Sequence, residues 1–158
     1  MRTFFVIFAL VANLALADAV TKEIAAGVLK GEAAVPVIPG FLDLAYVQNQ
    51  GCAWGMFQGQ VWPLAAFALA ALAVLVWKRR KVFGEGRLAF ATEVLLYAGI
   101  VGNLIDRVFR GYVIDMIDFH WRDAWHFPCF NLADTFICVA AGLLVLAGMR
   151  AKEPGRRT

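Results

Sequence analysis

Four stretches of this chain are apolar for about the thickness of a membrane: Thr3 to about Val20, Val61–Trp77, Leu88–Ile105 and about Phe130–Met149. A helix needs roughly 20 largely apolar residues, within about 17–25, to cross a hydrocarbon core. Backbone in hydrocarbon must satisfy its own hydrogen bonds, and helices do so within one segment. Of the 158 residues, 61% are hydrophobic and only 17% charged, against about 25% charged in soluble domains. The expected fold is an α-helical polytopic membrane protein. Its four transmembrane helices form a single membrane domain over 1–158, with no linker or low-complexity segment. The first stretch has a second reading as a cleavable signal peptide, from Arg2, the apolar run and "ALADA". The next residues, "DAVTK" at 18–22, argue for retention: Asp18 and Lys22 are four apart on one helix face and suit a helix end that is kept.

Basic residues set the orientation, because cytoplasmic loops carry the excess of Lys and Arg. Arg2, "KRRK" at 78–81, Arg87, Arg150, Lys152, Arg156 and Arg157 make ten of the fifteen basic residues. Four spans place all ten on one side, which is then cytoplasmic and holds both termini. The net charge of +3 reads as topology, with no nucleic-acid partner. Segments 21–60 and 106–129 face outward. Residues 41–48 of "GFLDLAYVQNQG" alternate and predict a short strand ending in an Asn–Gln–Gly turn. "GYVIDMIDF" at 111–119 alternates too. Such strands lie at the interface or against protein, since open sheet edges cannot face lipid.

The polar residues that hydrocarbon should exclude gather at that outer face. Asp18 and Lys22 close the first span, and Asn49 follows the first strand. Asn103, Asp106 and Arg107 close the third span, Asp115 lies in the second strand, and Asn131 and Asp134 open the fourth span. An intramembrane ionisable group costs several kcal/mol unless paired or hydrated, so such residues are functional candidates. Glu93, near the cytoplasmic end of the third span, is expected to reach the interface or pair with a basic neighbour. The chain has no Ser, which removes a serine nucleophile. His120 and His126 lack a metal-ligand spacing and read as interfacial, so neither metal nor cofactor is expected. Cys52, Cys129 and Cys138 form no CxxC; Cys138 reads as packing, while a bridge between Cys52 and Cys129 stays open. Two carboxylates acting on water remain as the strongest available chemistry. One takes a proton from the water, the other gives one to the attacked carbonyl, and the pair shares a proton.

"NLID" at 103–106 and "NLAD" at 131–134 repeat one amide–carboxylate spacing and nominate Asp106 and Asp134. Local chemistry favours Asp115 over Asp106. Asp106 abuts Arg107 and is expected to be held in a structural ion pair with it. In "VIDMIDF", period two puts Val113, Asp115, Ile117 and Phe119 on one face, which makes Asp115 a lone carboxylate among apolar neighbours. Its alternative is simple exposure to water. Asn131 and Asn103 each share a helix face with a carboxylate three residues on, as support for the site or as helix-end caps. Two other functions compete. An ion relay would spread polar residues along one path through the membrane, yet Val61–Trp77 contains none. A non-catalytic assembly factor would tolerate Asp→Asn changes.

Five motifs in order, "DAVTK", "NQGCAWGMF" (49–57), "GNLIDR" (102–107), "GYVIDMIDF" and "FNLADTF" (130–136), resemble lipoprotein signal peptidase (signal peptidase II), a family of bacterial membrane aspartic endopeptidases. The resemblance covers nearly the whole chain. It implies four membrane helices, an extracytoplasmic β-cradle and a short lid, in the bacterial cytoplasmic (inner) membrane with the active site outward. It implies cleavage of a prolipoprotein just before its diacylglyceryl-modified Cys by a monomer in contact with membrane lipids. The catalytic pair it implies is Asp115 and Asp134. Asp18, Lys22, Asn49, Gly51, Asn103, Asp106, Arg107, Asn131 and Ala133 match positions that support the site or contact substrate. Cys52 departs from the family, which often has Ala there.

Overall fold

The computed structural model describes residues 2–122 and 124–151. Lys152, Arg156 and Arg157, counted in the charge asymmetry, lie outside the described residues, as does Asp123. In chain order the elements are α1 (Arg2–Leu29), β1 (Val35–Ile38), β2 (Leu42–Asn49), a short 3-10 turn (Ala53–Gly55), α2 (Val61–Trp77), α3 (Arg79–Phe83), α4 (Arg87–Arg110), β3 (Val113–Trp121), β4 (Trp125–His126) and α5 (Leu132–Ala151).

Three of these helices are long and apolar enough to cross a membrane: Thr3–Leu29 within α1, α4, and Leu132–Met149 within α5. The helix at Val61–Trp77 is apolar throughout but has only 17 residues, about 25 Å at 1.5 Å per residue. Phe4, Phe8, Leu16, Phe67, Trp77 and Leu146 all stand exposed on these helices. So much exposed aliphatic and aromatic surface is foreign to a water-soluble monomer and suits lipid.

Helix α4 is the hub. One face buries Val94, Tyr97, Ala98, Gly99, Gly102, Asn103 and Asp106, and α1, α2 and α5 all pack on it. Small residues set how close α5 comes. A Cβ on Gly99 would lie 2.4 Å from the Ala133 carbonyl oxygen and 2.6 Å from Ile137 Cγ1, both on α5. Backbone cannot yield as a side chain can. Gly99→Ala is therefore expected to destabilise by about 1–3 kcal/mol, which thermal unfolding of the detergent-solubilised protein would register as a lower Tm.

Segments 21–60 and 106–129 supply the strands of an antiparallel sheet in the order β1-β2-β3-β4. The strand expected over 41–48 is β2, and its register sets Val47 opposite Asp115 and Asn49 opposite Val113. Strand β3 also buries the face of Ile114 and Met116, which pack on Ala25 and Leu29 of α1. That contact exists because α1 does not end near Val20. No proline interrupts residues 20–29, and the helix carries on past Asp18 and Lys22, through Gly27, as far as Leu29. Likewise α4 continues to Arg110 and turns at Gly111, whose φ of +76° is the left-handed conformation that glycine adopts freely. Asn103, Asp106 and Arg107 therefore lie inside a helix and not at its end. After the turn, β3 runs back beside the end of α4. Main-chain bonds between Phe130 and Met116–Ile117 (2.9–3.1 Å) then tie the approach to α5 onto β3.

Candidate active site

"NLAD" is a reciprocal helix cap. Asn131 precedes the first residue of α5, and its Oδ1 accepts from the Asp134 N–H (2.9 Å). Asp134 Oδ2 accepts in return from the Asn131 N–H (3.2 Å). This is the capping-box arrangement with amide and carboxylate in the two roles. It also fixes which way the Asn131 amide points. An N–H can only donate, so Oδ1 faces Asp134 and the NH2 faces away. That NH2 reaches Asp115 Oδ1 (2.7 Å), Asn103 Oδ1 (3.1 Å) and the Ile114 carbonyl (3.3 Å). One fully buried side chain thus touches both Asp115 and Asp134.

The same rule orients two more amides. Lys22 Nζ, which only donates, holds Asn103 Oδ1 (3.0 Å), so the Asn103 NH2 donates to Asp134 Oδ1 (2.7 Å). The Gly51 N–H holds Asn49 Oδ1 (2.9 Å), so the Asn49 NH2 donates to Asp115 Oδ2 (2.9 Å). Asp115 is 2% exposed, and its apolar surroundings were half of the truth: two amides meet it where strand alternation alone showed only apolar neighbours. Burial, and then the charge of Asp134, push its pKa up to about 7; the two amides and Lys22 pull the other way.

Behind the pair lies an ionic cluster. Lys22 is fully buried, 2.7 Å from Asp18 Oδ2 and 3.0 Å from Asp106 Oδ2. Asp18 Oδ1 accepts from the Ala133 N–H (2.8 Å), which anchors the first turn of α5 on α1. Gly102 makes room, since a Cβ there would lie 2.7 Å from Asp18 Oδ2. The expected Asp106–Arg107 pair is not the one formed. Successive helix residues point about 100° apart, and Asp106 instead meets Lys22, Arg110 Nε (2.9 Å, one turn on) and the Ile114 N–H (3.2 Å). Arg107 donates instead to the Gly51 carbonyl (3.0 Å), holding the segment after β2. Arg110 was missed as a member of this cluster, although its i, i+4 spacing to Asp106 signalled it. Its other partner is Glu23. Glu93 pairs as expected, with both carboxylate oxygens on Arg79 at 2.7 Å.

Asp115 and Asp134 line one cavity of about 440 Å³ with Asn49, Asn103, Arg107 and the apolar Val113, Phe130, Ile137 and Val139. Trp54, in the 3-10 turn, and Phe127 also line it and meet edge-to-face (centroids 5.7 Å apart). The three thiols, Cys52, Cys129 and Cys138, line the same cavity unbridged. Burial pushes the Cys129 thiol up to about 12, so it stays neutral. His120 and His126 stack elsewhere, across β3 and β4. The sequence carries no sign of this Trp54–Phe127 contact, because an aromatic beside a turn carries no signal of what lies across from it.

A family model described as signal peptidase (SPase) II matches residues 10–150 of this chain. The chain is 43% identical over 136 residues to the lipoprotein signal peptidase of Ectopseudomonas mendocina, covering 83% of this chain and 80% of that one. It is 39% identical over 150 residues to that of Syntrophotalea carbinolica, covering 92% of each. Among solved structures, a bacterial membrane enzyme determined by the in meso method at 2.3 Å superposes with a TM-score of 0.77. It is 28% identical, with 97% of this chain and 94% of that chain covered. A second, at 1.9 Å, has a TM-score of 0.73, 30% identity and coverage of 91% and 92%.

Proposed function

The chain belongs to the signal peptidase II family, and from that premise we propose that it is a membrane-embedded aspartic endopeptidase with Asp115 and Asp134 as its catalytic pair. It removes the signal peptide of prolipoproteins by cutting just before the diacylglyceryl-modified Cys. The observation that carries this reading is Asn131, whose side-chain NH2 holds the Asp115 carboxylate and whose main-chain N–H holds the Asp134 carboxylate, at one cavity. The fold reads as four membrane helices forming one domain, with Val61–Trp77 the shortest span. Both termini are cytoplasmic in the bacterial inner membrane, and the cavity opens at the outer face.

In this reading the pair shares one proton. A water between the carboxylates gives a proton to the ionised one and attacks the scissile carbonyl. The protonated partner donates to the carbonyl oxygen. Asn103, Asn49 and Asn131 hold the carboxylates from behind with their NH2 groups, leaving little rotation about either side chain. Lys22 and Arg107 are positioning residues, acting through Asn103 and the Gly51 carbonyl. Acyl chains remain in the bilayer while the peptide bond meets the pair at the helix ends. The apolar cavity wall excludes bulk water.

Cleavage of a diacylglyceryl-modified prolipoprotein by the purified protein tests this. The same peptide with an unmodified Cys is expected to show at least ~100-fold lower kcat/KM, because about four buried CH2 groups at ~0.8 kcal/mol each already supply that factor. Equal cleavage of both would refute the substrate assignment. The pH profile follows from Asp115. Its raised folded-state pKa means that protonation of this carboxyl favours the folded site. That contribution is full below the ordinary value of 3.8 and is lost as pH rises through about 7. The singly protonated pair is lost over the same range, so kcat/KM is expected to fall on an alkaline limb with a midpoint near 7.

A further inference from the structure

We propose that the opposite, KRRK-bearing end of the helices carries a binding site for an anionic phospholipid, with one acyl chain lying between α1 and α2 and the phosphate at Arg80. Two adjoining cavities there share Arg79 and Glu93. The larger, about 620 Å³, is an almost wholly apolar groove over α4. It exists because α1 and α2 both pack on α4 but scarcely touch each other. Its walls include Phe8, Val11 and Ala12 of α1 and Leu72 and Val76 of α2. Along α4 it runs from Glu93 to Ile105, about 18 Å at 1.5 Å per residue. That is longer than one leaflet of a ~30 Å core and shorter than the whole core. The length suits an acyl chain and falls short of a membrane-crossing helix.

The smaller cavity, about 310 Å³, is polar and sits at the mouth of the groove, lined by Thr3, Arg79, Arg80, Gly84, Glu85 and Gly86. Arg79 is committed to Glu93, but Arg80 is exposed and has no ion-pair partner among the described residues. Helix α4 starts at this cavity from Gly86, with no side-chain cap and no acid in its first turn, so its leading N–H groups are open. Glu85 and Glu93 balance Arg79 and Arg80 within the lining, and the surrounding segment adds Lys78, Lys81 and Arg87 with no further acid. Charge therefore favours a phosphate over a zwitterionic headgroup.

Native mass spectrometry of the full-length, detergent-solubilised protein tests this with phosphatidylglycerol and phosphatidylcholine bearing the same acyl chains. Phosphatidylglycerol is expected to bind about tenfold more tightly. Arg80→Glu should remove that preference, and Ala12→Trp, which fills the groove from an exposed position, should weaken both lipids. Equal affinity for the two lipids in the unaltered protein overturns the proposal. So does a preference that survives Arg80→Glu, or binding that is unchanged by Ala12→Trp. The readout involves no cleavage, so its failure would leave the proteolytic reading untouched.

Discussion

Asp115→Asn and Asp134→Asn proteins should each cleave lipidated prolipoprotein at least about 10³-fold more slowly than the unaltered protein, while still folding. Positioned acid–base groups contribute about 10²–10⁴ in rate, and both partners of a shared-proton pair are needed for one step. Losses in such a unit are not additive, so the double variant should be little slower than either single one. Each carboxylate has two donors. Asp134 accepts from the Asn131 N–H at Oδ2 and from the Asn103 NH2 at Oδ1, and an Asn there can keep only one of these bonds. Asp115 accepts from two NH2 groups held by partners that only donate. An amide at 115 can receive only one of them, so Asp115→Asn should also change the melting temperature. Asp118→Asn supplies the control: this carboxylate lies near His126 and is no part of the pair. Activity above about a tenth of the unaltered protein's in either Asp115→Asn or Asp134→Asn would sink the catalytic assignment.

Replacing Lys22 should cost more stability than any other single change at the site. Lys22 is 0% exposed, and its ammonium is the charge that Asp18 and Asp106 share. Breaking a buried ion pair by removing one partner costs about 3–5 kcal/mol, because the remaining charge is left uncompensated. For a chain of this size that is roughly 6–20 °C in Tm. Lys22→Met should show this loss, and Asp18→Asn in the same protein should recover part of it. Asp106 would be less affected, since Arg110 and the Ile114 N–H still hold it. Activity should fall as well, because Lys22 is what turns the Asn103 NH2 toward Asp134. Lys22→Arg should not rescue, as a larger planar guanidinium has no space at a site with no exposure. A Tm within about 2 °C of the unaltered protein in Lys22→Met would show that water already compensates the two carboxylates.

Much of the site could be read locally. Asn131 and Asp134 at i, i+3 beside an apolar run carry the sign of a helix start. Asp18 and Lys22 at i, i+4 carry the sign of a pair, and the pair forms. The signal that "NLID" lies inside a helix was also present, in Arg107 and Arg110 followed by Gly111. What local reading misjudged was partner choice. Asp106 looked bound to its sequence neighbour and is bound to Lys22 and Arg110. Asp115 looked isolated on its face of the strand and is held by Asn49 and Asn131. Adjacency in sequence says little about adjacency of side-chain tips once a helix rotates them apart.

By itself, then, the sequence determined the apolar helices, the alternating strands and the residue types able to do chemistry. These follow from local periodicity and from what hydrocarbon excludes, and both are properties of short windows. Only the tertiary structure decided which carboxylate faces which. The close α4–α5 approach at Gly99 and Gly102, the turn at Gly111 and the tie of Phe130 to β3 bring Asp115 and Asp134 onto one Asn131 side chain. That convergence joins segments far apart in the chain. Its physical reason is shared satisfaction: buried amides and charges have few partners to choose from, and only the folded arrangement meets all their bonds at once.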